Sequence, residues 1–386
     1  MPSSADATPP PISVHAEARQ WRGRLWRNLA LPPGFVRRTL IENGAITVLV
    51  LAYTAGIYGA AALFGKTDAL KLNLYNAFLG VFVGTSLFVG VLGYFFYLLV
   101  ILHPPSPFAV IHRHLKTHLR FWERAVIGAP MLVVMPLFFS VFTSGKNLIP
   151  VFNPYHWDTT FAAWDRWLAG GVEPWQRLAF LLQAPFSAYL VAGINILYDL
   201  WMLLMVMALL WQAFTPNRPT LRLQFFLAYL LCWALLGTTM ATALSSVGPC
   251  FYGHVVVSGP NPYAALMATL HELNTIAPNY ALDTQRNLWK TFTDNHLTLG
   301  SGISAMPSLH LSIATLMALL AWRTRRWMGV VFIAYLAVLE VGSVLLGWHY
   351  LVDGLVAVAG TFLIWALAGW LATATNGGPR RHERDL

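Results

Sequence analysis

The sequence is poor in charged residues and in cysteine. Asp, Glu, Lys and Arg make up 11% of its 386 residues, and it contains two cysteines. Such a low charge content excludes an ordinary soluble domain. Cys232 falls inside an apolar run and Cys250 lies near its end, so the pair is too small and too poorly placed to indicate a disulfide framework.

Apolar residues are abundant instead. The sequence is 57% hydrophobic and its mean hydropathy is +0.56. Because an α-helix needs about 20 apolar residues to cross the hydrocarbon core of a bilayer, these runs predict an all-α integral membrane protein with about eight transmembrane helices. The predicted spans are residues 44–65, 77–102, 125–143, 188–211, 223–247, 308–322, 328–347 and 353–372.

Positive charge is distributed unevenly about these spans. Lys and Arg are enriched in the cytoplasmic loops of membrane proteins, and most of the 25 here lie on the side that both termini share. We therefore expect both termini to be cytoplasmic, and we attribute the net charge of +9 to topology and not to nucleic-acid binding. The non-cytoplasmic side carries Lys66, Lys71, Lys146, Arg166, Arg177, Arg286 and Lys290.

The spans divide the chain into four predicted parts. The first joins a polar cytoplasmic tail to an Arg- and Trp-rich amphipathic segment that suits the anionic inner leaflet. Two extra N-terminal spans and a basic loop follow, then six spans that form one membrane domain, then a second cytoplasmic tail. Their bounds are 1–43, 44–124, 125–372 and 373–386.

Two segments on the predicted outer side are distinctive. Large apolar residues recur at helical spacing, namely Trp157, Phe161, Trp164 and Leu168. A Gly–Gly pair then precedes Glu173–Pro174, so two short helices are expected along the outer interface. These helices either anchor the protein by their indoles alone or form a collar around a lipid entrance. Residues 248–303 are too many for a passive connection, which favours a lid or a substrate-binding segment.

Two histidines and an aspartate are spaced to work together. His310 lies near the start of the sixth predicted span. His349 precedes the eighth, and Asp353, four residues later, is the first residue of that span. Residues four apart share a helical face, so the carboxylate can accept a hydrogen bond from His349 and orient it. The sixth and seventh spans form a hairpin with a cytoplasmic turn, which brings His310 and His349 to the same outer surface.

Such a set suits phosphoryl transfer without a metal or another cofactor. One imidazole attacks phosphorus, and the second protonates the departing oxygen and then deprotonates the acceptor. The simpler alternative is that each histidine is an interfacial residue hydrogen-bonded to a loop. The shared surface and the acid at the required spacing favour the catalytic interpretation.

The same residues resemble a known family. P-S-L-H at 307–310, followed about 40 residues later by H-Y-L-V-D at 349–353, looks like the second and third signature motifs of the type 2 phosphatidic acid phosphatase superfamily. The resemblance is closest to its inositol phosphorylceramide synthase-like branch and covers roughly residues 125–372. It implies a six-helix phosphatase-like catalytic core.

The resemblance also implies roles for individual residues. His349 corresponds to the nucleophile, Asp353 to its orienting carboxylate, His310 to the general acid and base, and Ser308 to a phosphate ligand. The sequence departs from the family in the third motif, where Gly342 and Ser343 replace the usual Ser and Arg, and K-x-x-x-x-x-x-R-P is absent. The usual cationic phosphate cradle is therefore missing in its expected form. Lys146, Arg286 and Lys290 are the leading candidates to replace it on the outer side.

We therefore expect a membrane phosphotransferase that acts on a lipid phosphate or phosphodiester at the outer leaflet through a phosphohistidine. Its partners would be the lipid substrate, a hydroxyl acceptor and the bilayer. One alternative is a hydrolase of phosphatidate or of an isoprenyl diphosphate. An alternative of another class is a lipid transporter or scaffold without catalysis, and the three intact residues His310, His349 and Asp353 argue against it.

Four polar residues fall outside these motifs. His114 and His118 share a helical face in the basic loop, but no third ligand is near in sequence, which favours a solvated loop over a metal pair. Asp199 and Glu340 lie within predicted spans, where an acid is costly unless it is paired or neutral. Along one helix Glu340 is about 13 Å from His349, so packing is the expected role and support of the active site is the alternative.

Overall fold

The computed structural model describes residues 31, 34–104, 110–111 and 120–376. This part of the chain is helical and contains no β-strand, which confirms the all-α prediction. Most of both predicted tails, and the basic loop with His114 and His118, lie outside the described residues.

The longer helices are numbered α1 to α11 in chain order. Helix α2 continues as a π-helical turn to Leu102, and α6 continues through a π-helical stretch at Cys232–Met240 to Ala243. The helices are α1 Phe35–Leu63, α2 Asn76–Phe96, α3 Phe121–Asn147, α4 Asp158–Leu168, α5 Ser187–Ala213, α6 Pro219–Leu231, α7 Ala264–Asn274, α8 Tyr280–Thr293, α9 Leu309–Thr324, α10 Arg326–Leu345 and α11 Leu351–Thr375.

Six of these helices are long and apolar enough to cross a bilayer, namely α1, α3, α5, the extended α6, α10 and α11. The predicted second and sixth spans contain shorter apolar stretches of helix. These are Phe88–Leu102, the last part of the extended α2, and Leu309–Thr324, which is α9. The 16 residues of α9 extend about 24 Å, less than the hydrocarbon thickness. Most side chains of α9 are buried, so this helix is enclosed by its neighbours, which allows a polar site to lie within the bundle.

The first helix begins earlier than predicted. Residues 35–43 were expected to lie on the membrane surface, but they continue into the first span as part of α1. The cause is polar packing against α6: Arg222 donates to the side-chain oxygen of Asn43 at 3.0 Å and lies 3.5 Å from the Glu42 carboxylate. Because Arg222 and Glu42 are both buried, this pair fixes the start of α1 against α6.

Helix α9 packs against both α10 and α11 at the centre of the bundle. Its first residue, Leu309, lies against Gly237 of the π-helical stretch, where an added Cβ atom would come within 2.5 Å of the leucine side chain. The small residue that makes room for it is therefore on α6.

An outer layer covers the turn between α10 and α11. Gln285 of α8 donates to the carbonyl oxygen of Leu346 at 2.8 Å. The backbone N–H of Cys250 donates to the carbonyl oxygen of Gly347, also at 2.8 Å. The backbone of Ala281 also donates to Asn195 of α5 at 3.0 Å. The segment 248–303 therefore contacts this turn at Cys250 and at Gln285.

The two predicted interfacial helices are both present. Helix α4 ends before Gly170 and Gly171, which have φ angles of 71° and 93°, in the left-handed region that favours glycine. Glu173 then forms a capping box at the start of the single-turn helix Pro174–Arg177. The aromatic residues of α4 divide between two faces, because Phe161 is buried whereas Trp164 and Trp167 are exposed.

Candidate active site

His349 lies in the turn between α10 and α11, and its side chain is buried. Its Nδ1 atom is 2.9 Å from the carbonyl oxygen of Ala305 and 3.3 Å from Oδ2 of Asp353. Because a carbonyl oxygen can only accept, Nδ1 carries the hydrogen and donates it to these two oxygens. In the neutral ring the Nε2 atom therefore keeps its lone pair, as a nucleophile requires.

The contact between His349 and Asp353 arises from a helix cap and not from a continuous helical face. Tyr350 is the N-cap of α11, and Asp353 reaches back to accept its backbone N–H at 3.0 Å. His349 stands one residue before the cap, so the same carboxylate oxygen meets its ring. The predicted pairing is present, but a cap produces it.

The two sequence motifs are joined through their backbones. The backbone N–H of Ser308 donates to the carbonyl oxygen of Asp353 at 3.2 Å, and Ala305, just before the P-S-L-H motif, receives the hydrogen bond from His349. Ser308 is fully buried and its hydroxyl oxygen has no hydrogen-bond partner within the described residues. This hydroxyl group is free to bind a phosphate oxygen.

His310 lies in the first turn of α9, between two aromatic rings of α5. Its ring centre is 4.7 Å from that of Tyr198 and 4.4 Å from that of Trp201. The centres of the His310 and His349 rings are 5.9 Å apart. The aromatic contacts fix the plane of His310, and this separation allows both imidazoles to reach one phosphoryl group.

Lys146, at the end of α3, is the predicted cation that faces the histidines. Gly302 packs against it, with an ideal Cβ position 3.0 Å from the Lys146 side chain, so the segment leading to His310 abuts the end of α3. Burial lowers the pKa of His349 to about 3, and the charge of Lys146 adds to this lowering. His349 is therefore neutral at physiological pH.

Arg286 and Lys290 are not brought into this cluster. Both lie on the exposed face of α8, and Arg286 pairs with Asp283 at 3.1 Å. The buried face of that helix carries Gln285 instead. The two basic residues are four apart as the sequence indicates, but that spacing directs them away from the helix bundle.

Two buried acids of α4 accept hydrogen bonds from the residues that directly follow His349, and the sequence motifs include neither acid. Asp165 accepts the backbone N–H groups of Leu351 and Val352 at 2.8 and 2.9 Å. Asp158 accepts the Tyr350 hydroxyl at 2.8 Å and the backbone N–H groups of Val247 and Gly248 at 3.0–3.1 Å.

These acids are almost completely buried, with 1% of Asp158 and 2% of Asp165 exposed. Burial raises the pKa of Asp165 to about 7, although the hydrogen bonds from Val352 and Leu351 oppose the shift. Burial also raises the pKa of Asp158 against four hydrogen bonds. In the sequence, the aromatic residues of this segment are the conspicuous feature. Acids within a short interfacial helix are ordinarily expected on its exposed face, so their burial is not apparent from the sequence.

The remaining two acids have different surroundings. Asp199 of α5 is exposed and accepts a hydrogen bond from Asn195 at 2.9 Å. Glu340 of α10 has both carboxylate oxygens buried, and its carboxyl group contacts Gly354 of α11. Because α11 runs back alongside α10, Glu340 is adjacent to the residue that follows Asp353, and the distance of about 13 Å along one helix does not describe its relation to the site.

Comparison with known proteins gives one match. A family model described as the PAP2 superfamily matches residues 159–367, more than half of the chain. The match begins in α4 and ends in α11, so it includes both histidines and Asp353, whereas Lys146 lies before it. No curated protein and no solved structure matched the chain.

Proposed function

Because the chain belongs to the PAP2 superfamily, whose members are phosphatases or phosphotransferases, we propose that it is a lipid phosphotransferase that works through a phosphohistidine at His349. The observation that carries this proposal is the pair of Nδ1 hydrogen bonds, which leaves the Nε2 lone pair of a buried imidazole free beside His310. The distribution of basic residues along the sequence supports a site at the non-cytoplasmic leaflet.

The first half-reaction forms the phosphoenzyme. Nε2 of His349 forms a bond to phosphorus while the bond between phosphorus and the leaving oxygen breaks, and His310 gives its proton to that oxygen. The His349 ring gains positive charge in this step. Asp353 stabilises that charge because its carboxylate accepts the Nδ1 hydrogen.

The second half-reaction returns the enzyme to its starting state. An acceptor hydroxyl group gives its proton to His310 as its oxygen bonds to phosphorus, and the bond from phosphorus to Nε2 breaks. His349 is then neutral and His310 is protonated again. With water as the acceptor the same steps describe hydrolysis, so the acceptor alone distinguishes a transferase from a phosphatase.

The small number of cations favours a phosphodiester donor. Lys146 is the basic residue whose charge acts on His349 within the described part of the chain, and Arg286 and Lys290 are exposed elsewhere. One ammonium group balances the single negative charge of a phosphodiester, but a phosphate monoester at neutral pH carries nearly two. A phosphodiester donor with a lipid alcohol acceptor is the chemistry of the inositol phosphorylceramide synthase-like branch that the motifs resemble.

Product analysis tests this function. Purified protein in lipid nanodiscs would receive a phosphodiester lipid labelled in its headgroup, with and without a long-chain alcohol acceptor, and products would be identified by mass spectrometry. We expect the labelled phosphoryl headgroup on the acceptor hydroxyl group, and none with His349→Ala. Release of the labelled phosphoryl headgroup to water, with none on the acceptor, would assign the protein as a hydrolase.

A further inference from the structure

Glu340 is a buried acid that the proposed reaction does not use. Both of its carboxylate oxygens are buried, and neither has a hydrogen-bond partner among the described residues. An unpaired carboxylate is costly within a membrane domain, whereas a protonated carboxyl group is far less so. The surroundings of Glu340 therefore favour its neutral form.

This carboxyl group lies beside the catalytic aspartate. A Cβ atom added to Gly354 would overlap it, so glycine at that position lets the acid rest against the backbone next to Asp353. Asp353 uses Oδ2 to accept from His349 and Tyr350, and its buried Oδ1 has no hydrogen-bond partner in the described part of the chain. Two carboxyl groups thus have unpartnered oxygens in one buried region.

Three ionisable groups among the described residues interact with Glu340. Asp353 on α11 and Asp165 on α4 act on it electrostatically, and it acts in turn on the phenol of Tyr198 on α5. None of these three groups is basic. Neighbouring carboxylates in such surroundings do not both ionise near neutral pH, and the group with more hydrogen-bond donors keeps the charge.

We propose that Glu340 is a positioning residue that carries a proton beside the charged carboxylate of Asp353. The proton stays on Glu340, so Asp353 keeps the negative charge that orients His349. Asp353 is the better place for the charge because it accepts two hydrogen bonds, whereas Glu340 accepts none from the residues that the structure describes. The role in catalysis rests on the proposed function, since it takes His349 as the nucleophile.

The proposal predicts an effect of alkaline pH. When Glu340 loses its proton, a second negative charge lies beside a site that binds an anionic phosphate, so kcat/KM falls. Glu340→Gln stays neutral at every pH. We expect this variant to keep neutral-pH activity within about threefold, and to exceed wild type by about tenfold at one pH unit above the wild-type alkaline midpoint.

The matched control is Asp199→Asn, which also replaces an acid of a span by its amide but lies on the exposed face of α5. It should retain the wild-type pH profile. An alkaline limb in Glu340→Gln that coincides with wild type would overturn the proposal. A role in packing alone would give that result, because the two side chains have nearly the same shape.

A second measurement does not need turnover. Infrared difference spectra of wild type against Glu340→Gln should show the carbonyl stretch of a protonated carboxylic acid at pH 7. In Asp353→Asn this band should be lost at lower pH than in wild type, because the neighbouring charge is gone. Absence of the band, or the same titration in both proteins, would overturn the proposal that Glu340 is protonated beside a charged Asp353. This outcome is independent of whether the phosphotransferase assay succeeds.

Discussion

The hydroxyl group of Tyr350 donates a hydrogen bond of 2.8 Å to the carboxylate of Asp158. This bond joins the residue directly after His349 to α4, an amphipathic helix whose Trp164 and Trp167 are exposed. Asp165, two turns further along α4, accepts two backbone N–H groups at the start of α11. The orientation of the turn that carries His349 therefore depends on an element far from it in sequence.

Asp165→Asn tests this dependence. The amide offers one acceptor where the carboxylate offers two, and its NH2 group would face a backbone N–H, so the start of α11 must shift. A misplacement of about 1 Å at a reacting group costs up to about a hundredfold in rate. We therefore expect kcat to fall by about tenfold to a hundredfold. Steady-state kinetics on detergent-solubilised protein would measure it.

The control for this variant is Asp283→Asn, the same change on the exposed face of α8. It should have the activity of wild type. Equal activity of Asp165→Asn and wild type would contradict a positioning role for α4.

Lys146→Met tests the phosphate-binding cation. Loss of the ammonium group removes charge stabilisation from the transition state, and removal of one such group costs about a hundredfold to a thousandfold in kcat. Lys290→Met is the matched control, since Lys290 is exposed, and it should leave kcat/KM unchanged. A large loss with Lys290→Met and none with Lys146→Met would assign phosphate binding to α8 instead.

The ionisation of His349 can be measured directly. Burial and the charge of Lys146 lower its pKa to about 3, so the free enzyme should hold a neutral imidazole at all pH values above about 4. Removing the positive charge in Lys146→Met should raise that pKa towards the ordinary value of about 6.5. Nitrogen-15 NMR of labelled histidine, assigned with His349→Ala, would measure the pKa of His349 in wild type and in Lys146→Met. A wild-type midpoint near 6.5 would contradict the burial of His349.

Chelation should leave the reaction intact. In the proposed steps an imidazole supplies the nucleophile, a second imidazole moves the proton, and an ammonium group supplies the positive charge. We therefore expect turnover in EDTA within about twofold of the untreated enzyme. Loss of activity that a divalent ion restores would show that a metal takes over one of these roles.

The sequence was sufficient to predict most of the membrane helices and the central cluster. Long apolar runs predict spans because hydrocarbon admits little else, and His310, His349 and Asp353 stand out as polar residues at span ends. The pairing of His349 with Asp353 follows from local spacing. It would be found from sequence even though a helix cap, and not a helical face, brings the two together.

The residues that the sequence analysis missed depend on long-range packing. Asp158 and Asp165 have partners 186 to 192 residues away, and nothing near them in sequence indicates those contacts. The distance from Glu340 to His349 along one helix does not show that Glu340 lies beside Gly354 of the next helix, which runs back alongside α10. The basic residues of α8 are predicted to bind phosphate because of their side of the membrane, but that side does not specify the direction in which a side chain points.

The most direct measurement is capture of the phosphoenzyme. Wild type and His349→Ala would be incubated with a phosphodiester lipid radiolabelled at phosphorus, quenched in alkali, where phosphohistidine survives, and digested for mass spectrometry. We predict a phosphoryl-linked group on His349 in wild type, lost when a hydroxyl acceptor is added, and none in the variant. Labelling at another residue, or equal turnover by His349→Ala, would contradict the central claim.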